Sequence, residues 1–148
     1  MTNDPDQIAS IEVYLNENLS PARFRHVLGV REVALNLAKR HGVDVAQAEL
    51  AALLHDCVKE LPDDELRGLA KRHGLQVDEH EQQTPGLLHG KVAPFVAVER
   101  FGVNDETVFN AMRRHSTGSV EMGSLDQVLF VADFSEPNRT YTAAAEVR

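Results

Sequence analysis

The sequence predicts an all-α fold. Three observations carry this. Apolar residues recur at helical spacing along most of the chain, and cap residues bracket those runs. β-branched alternation never lasts more than a few residues, and there is no Asn-Gly or Asp-Gly hairpin turn. At 148 residues, with 43% hydrophobic and 26% charged residues, the chain can bury a core without disulfide staples. No repeat, low-complexity stretch or linker divides it, so residues 1–148 are read as one helical bundle.

Ile8, Ile11 and Leu15 have the spacing of a short first helix. Ser20-Pro21 then reads as an N-cap followed by proline at the first helical position, and Val27 to Ala38 continue the period. Gly42 reads as a left-handed stop, and Asp44 with Gln47 as a capping box opening a third helix. Ala46 to Leu54 in that helix are so densely apolar that it is expected to be central and buried. Leu61-Pro62-Asp63-Asp64 ends it and opens another helix, which stops near Gly74. Gln76 to Pro85 is polar and aperiodic, so a loop is expected. Leu87 to Phe101 reads as helical, with Pro94 marking a kink or a late start. Asn104 is expected to cap a helix through about Arg114, and Ser124 another through about Phe134.

Composition narrows the function classes. The net charge of −8 argues against a duplex nucleic-acid binder. It leaves room for a small anion in a local basic pocket. No apolar run is long enough to span a membrane, and the N-terminal Met-Thr-Asn-Asp-Pro-Asp-Gln is the reverse of a secretory signal. Cys57 is the single cysteine, which fits a cytoplasmic protein.

The seven histidines of this chain are where chemistry is expected. Leu53-Leu54-His55-Asp56 ends the apolar helix in two adjacent ionisable groups. A buried carboxylate there needs compensation, which a divalent cation would supply. Neighbouring helical residues diverge by about 100°, so one ion can take both only near a widened helix end. His26 lies one turn into the second helix, His89 opens a helix and His115 ends one. Asp133 closes the apolar run from Val128. Ligands from several helix ends can converge in a bundle. Mixed histidine and carboxylate ligands suit Fe, Mn, Co or Zn better than Ca or Mg. His41, His73 and His80 read as structural or solvated, and Cys57 as packing.

Arg23-Phe24-Arg25-His26, His55-Asp56 with Lys59-Glu60, and a distant Asp133 resemble the pattern of the HD superfamily. The segments His26-Val27-Leu28-Gly29-Val30, Leu88-His89-Gly90, His115-Ser116-Thr117-Gly118 and Ala132-Asp133-Phe134-Ser135-Glu136-Pro137-Asn138-Arg139 resemble, more specifically, the bacterial YqeK family. The likeness spans about residues 20 to 141 in order. It implies an HD-domain helical bundle with its metal site at helix ends. It also implies symmetrical cleavage of diadenosine tetraphosphate to two ADP. His26, His55, Asp56 and Asp133 would hold one transition metal. His89 and His115 would hold a second or contact phosphate, with Asp56 as the bridge. Iron is the expected metal, one ion or two, with Mn, Co or Mg as alternatives.

Asp56, Lys59 and Arg139 are the expected catalytic groups. Arg23, Lys59, Thr117, Gly118 and Arg139 are expected to contact the nucleotide, and Glu136 to face Arg139 across a turn. The expected partner is a small nucleotide, with neither nucleic acid nor membrane, and a homodimer is compatible with the reading. The same residues also fit another HD phosphohydrolase, acting on a guanosine alarmone, a deoxynucleotide or a 5'-nucleotide, or a weakly catalytic nucleotide sensor. Two features depart from the family pattern: Pro94 replaces an expected small residue, and the chain ends at Arg148 where relatives continue.

Overall fold

In the computed structural model, residues 2–115, 119–138 and 147 are described. Eight α-helices and one 3₁₀ turn run in order among them: α1 Pro5–Asn18, α2 Pro21–His41, α3 Val45–Leu54, α4 Asp63–Arg72, α5 Glu79–Gln83, the 3₁₀ turn Pro85–Leu88, α6 His89–Phe101, α7 Glu106–Arg114 and α8 Ser124–Ser135. No strand occurs among the described residues. No described helix is long and apolar enough to cross a membrane.

α3 is the hub. It packs against α1, α2, α6, α7 and α8, and Ala48, Leu50, Ala51, Ala52, Leu53 and Leu54 are all buried. Its alanines let neighbours approach from every side, as the dense apolar run predicts. α2 starts where Ser20 Oγ accepts the amide of Arg23 at 3.2 Å, and it stops at Gly42 with φ 70°. A left-handed φ of that size favours glycine. α4 shows an acidic first turn and a basic last turn, each matching the helix dipole.

Several boundaries differ from expectation. Residues 76–85 are not a plain loop. Asp78 and Glu81 form a reciprocal capping box, and α5 and the 3₁₀ turn follow. Too few apolar residues mark so short a helix for periodicity to find it; its caps, the Lys91–Glu81 ion pair and Arg67 on the Gln82 carbonyl hold it. Asp44 does accept the amide of Gln47, but without the reciprocal bond of a box. Asp105, not Asn104, caps α7 by accepting the amides of Thr107 and Val108. Ser124 is the first residue of α8 rather than its cap, and the amide of Gly123 donates to Asp126 Oδ2 at 3.0 Å. α6 begins at His89 and continues through the buried Pro94, so that proline marks no late start.

Candidate metal centre

Six residues that the sequence singled out meet at one place: His26 on α2, His55 and Asp56 just beyond α3, His89 at the start of α6, His115 at the end of α7, and Asp133 on α8. They form two groups that share Asp56. In the first, His26 Nε2 lies 2.8 Å from Asp133 Oδ1 and 3.6 Å from Asp56 Oδ2. His55 Nε2 lies 3.4 Å from Asp56 Oδ2 and 3.6 Å from Asp133 Oδ1. In the second, His89 Nε2 and His115 Nε2 are 3.0 Å apart. They lie 3.3 and 3.4 Å from Asp56 Oδ1. One Asp56 oxygen therefore faces each group.

Local helix chemistry aims these rings. His55, His89 and His115 occupy the C-cap positions of α3, the 3₁₀ turn and α7. Each Nδ1 meets the carbonyl three residues back: Ala52 at 2.6 Å, Gly86 at 2.7 Å and Met112 at 2.6 Å. A carbonyl only accepts, so Nδ1–H donates and Nε2 is left for the cluster. Helix-end carbonyls lack intrahelical partners, and these ring N–H groups supply one; the Gly86 carbonyl also accepts the amide of His89. The chain after α3 does not widen. Cys57 N bonds Leu54 O, and Lys59 N bonds Asp56 O, both three residues back. This tighter turn, rather than a loosened helix, lets Asp56 stand beside His55.

Gly90 brings the second group together. A Cβ there would sit 2.9 Å from the Met112 carbonyl oxygen and 3.6 Å from His115 Cε1. Its absence lets the start of α6 approach the end of α7. Arg23 Nη1 pairs with Asp56 Oδ2 at 3.0 Å. The N-terminus of α2 opens on a polar cavity of about 470 Å³ lined by Ser20, Arg23, Arg25, His26, Glu60 and Glu136, among others.

The donor set fits a divalent metal. His55 Nε2 is buried with no hydrogen-bond partner among the described residues. The His89 and His115 Nε2 atoms face each other although both rings carry their hydrogen on Nδ1, so two lone pairs meet where a cation would satisfy both. Electrostatics agree. Burial opposes charge on His55, yet Asp56 and Asp133 outweigh it and push its pKa up to about 10. Burial would raise Asp56 and Asp133, but the surrounding histidines hold both below the usual carboxylate range. His115 goes the other way: burial depresses its pKa more than Asp56 raises it.

Other expected site residues have mixed outcomes. Lys59 is half-buried and makes no ion pair with a described residue. Thr117, Gly118 and Arg139 lie outside the described residues. Cys57 is buried in the core, and burial pushes its thiol up to about 12, as suits packing rather than nucleophilic attack. Glu136 faces His26 rather than solvent, its Oε1 3.3 Å from Nδ1. The sequence did not show this contact, and it offered a helix-end role for His55, His89 and His115 only as the alternative to metal binding, whereas in the fold they are C-caps as well as cluster residues. A signal for the latter was present in the repeated Leu-Leu-His at 53–55 and 87–89.

The fold and this centre define a helical, metal-binding phosphohydrolase. The HD domain family matches residues 23–137, and the chain belongs to that family. Curated relatives narrow it. It is 37% identical over 131 residues to the symmetrical bis(5'-nucleosyl)-tetraphosphatase of Halalkalibacterium halodurans, covering 88% of this chain and 70% of the relative. It is 34% identical to the protein of the same name from Bacillus subtilis, covering 99% of this chain and 76% of the relative. It also superimposes on a predicted HD superfamily hydrolase involved in NAD metabolism from Clostridium acetobutylicum. That match has TM-score 0.89 and 32% identity, over 99% of this chain and 76% of the other.

Proposed function

We propose that this protein hydrolyses diadenosine tetraphosphate symmetrically to two ADP, using divalent ions held by the two groups that share Asp56. The observation that carries this reading is the bridging position of Asp56, one oxygen toward each histidine-rich group. The substrate rests on the names of the two curated relatives. In this assignment His26, His55, Asp56 and Asp133 hold one ion, and Asp56, His89 and His115 hold the other. Bound ions supply Lewis acidity toward phosphoryl oxygens and acidify water.

The chain's own groups position and neutralise. Arg23 pairs with Asp56 at the edge of the polar cavity and turns its guanidinium to a phosphoryl oxygen when substrate enters. Lys59, without a competing carboxylate among the described residues, serves the same charge, and Arg139 is assigned the same role from sequence. Burial of His55 and Asp56 excludes bulk water from the ligand atoms. Iron is the proposed native metal, and the cytoplasm the proposed compartment.

The test is product chromatography after incubating the protein and diadenosine tetraphosphate with Fe, Mn, Co or Mg. ADP as sole product is expected. ATP with AMP, or no turnover with any metal, overturns the assignment, and faster turnover of a guanosine alarmone or deoxynucleotide moves the substrate elsewhere.

A further inference from the structure

We infer that Glu136 is a positioning residue that sets the ring of His26 for metal binding, with Gly29 shaped to admit its carboxylate. The inference rests on the proposed metal assignment. Glu136 is 1% exposed although it carries a carboxylate. A buried carboxylate persists only where hydrogen bonds compensate it. Its Oε2 accepts from the backbone N–H of Asn138 at 2.9 Å and from Asn138 Nδ2 at 3.0 Å. Its Oε1 faces His26 Nδ1 at 3.3 Å. Asn138 Nδ2 also donates to the carbonyl of Arg25, the residue before His26, at 3.2 Å. The loop after α8 is thereby tied to the turn of α2 that carries His26.

His26 differs from the other three histidines. His55, His89 and His115 are C-caps, oriented by a carbonyl of their own helix end. His26 lies within α2, where backbone carbonyls are engaged in the helix ladder. Its Nδ1 needs an acceptor from elsewhere, and Glu136 supplies it. A carboxylate oxygen only accepts, so the bond places hydrogen on Nδ1 and leaves Nε2 for the cluster. A carboxylate behind a ligating imidazole also makes the ring a stronger donor.

Gly29 is an independent observation on the same contact. It lies three residues after His26, on the same face of α2. A Cβ at position 29 would overlap Glu136 Oε2 and meet Asn138 Nδ2 at 3.1 Å. Any larger residue would force the carboxylate end and Asn138 to shift, so glycine here makes room for Glu136 and serves no special backbone conformation, since Gly29 is not among the residues with positive φ.

The experiment is Mn²⁺ titration, followed by electron paramagnetic resonance, of wild type, Glu136→Gln, His26→Ala and the double variant, with thermal melts of each. Glu136→Gln is expected to weaken the tighter site by about 10- to 100-fold. In the His26→Ala background the same change is expected to have no further effect, because Glu136 acts through His26. Gly29→Ala should reproduce the loss, and in a Glu136→Ala background it should add none. Unchanged affinity in Glu136→Gln, or an equal loss with and without His26, overturns the inference. Failure of wild type to bind Mn²⁺ would instead overturn the metal assignment.

Discussion

The two halves of the centre are built from the same residue types but held differently. The half around His26, His55 and Asp133 draws on α2, α8 and the chain after α3, and Asp56, Asp133 and Glu136 all face its histidines. The half around His89 and His115 draws on α6 and α7 and, among the described residues, has the second oxygen of Asp56 as its carboxylate. Their electrostatics diverge accordingly. Asp56 and Asp133 raise the pKa of His55, whereas burial lowers that of His115. Carboxylate count thus separates a charged, tightly paired half from a more neutral one. Under the proposed assignment the first half binds its ion more tightly.

The harshest way to break this comparison is Asp56→Ala, which removes the group both halves share. Activity is expected to fall beyond the roughly 10²- to 10³-fold typical of losing one electrostatic group. Elemental analysis should show metal lost from both halves; unchanged metal with full activity would contradict the assignment. Replacing one half's own ligand should separate the two. Asp133→Asn is expected to abolish the tighter binding step, while His89→Ala removes only the weaker one. Calorimetric titration distinguishes them, and identical isotherms for the two variants would erase the asymmetry.

Acidity sharpens the comparison further. His55, pushed up to about 10, is protonated in the metal-free protein at neutral pH and must release that proton when Nε2 binds an ion. Mn²⁺ affinity should therefore rise with pH between about 6.5 and 8.5, with proton release visible as a dependence of binding heat on buffer. Metal-free stability follows the opposite sign. A raised histidine pKa contributes fully below its ordinary 6.5, and that contribution is lost as pH climbs through about 10. The depressed Asp56 and Asp133 contribute above their ordinary 3.8 and lose this as acid protonates them. Thermal melts of metal-free protein should accordingly fall on both sides of that window.

The smallest expected effect is Gly90→Ala. Its Cβ would press on the Met112 carbonyl at 2.9 Å and the Arg113 carbonyl at 3.4 Å, prying α6 from α7. Overpacking of this kind costs about 1–3 kcal/mol. A modest drop in melting temperature should accompany weaker binding in the His89–His115 half alone. Equal weakening of both halves would show that they are not separable.

All six clustered side chains were singled out in the sequence, because His55-Asp56 and its ordered companions follow a recognisable pattern along the helices. α3 was legible as the hub for the same local reason: an Ala- and Leu-rich run has no polar face to expose. α5 was not, since a capping box on a five-residue helix leaves almost no apolar period. Nor was the contact of Glu136 with His26, 110 positions back along the chain; Arg139, its expected neighbour across the turn, lies outside the described residues.

The sequence alone determined the long helices, the caps of α2 and α3 and the residue types able to bind a metal, since each depends on neighbours within a few positions. Only the tertiary structure decided that Asp56 divides its two oxygens between two groups, that Gly90 and Gly29 are spaces for a neighbouring helix end and a carboxylate, and that Glu136 stands behind His26. Those facts depend on how distant helices pack, and local spacing carries no record of that distance.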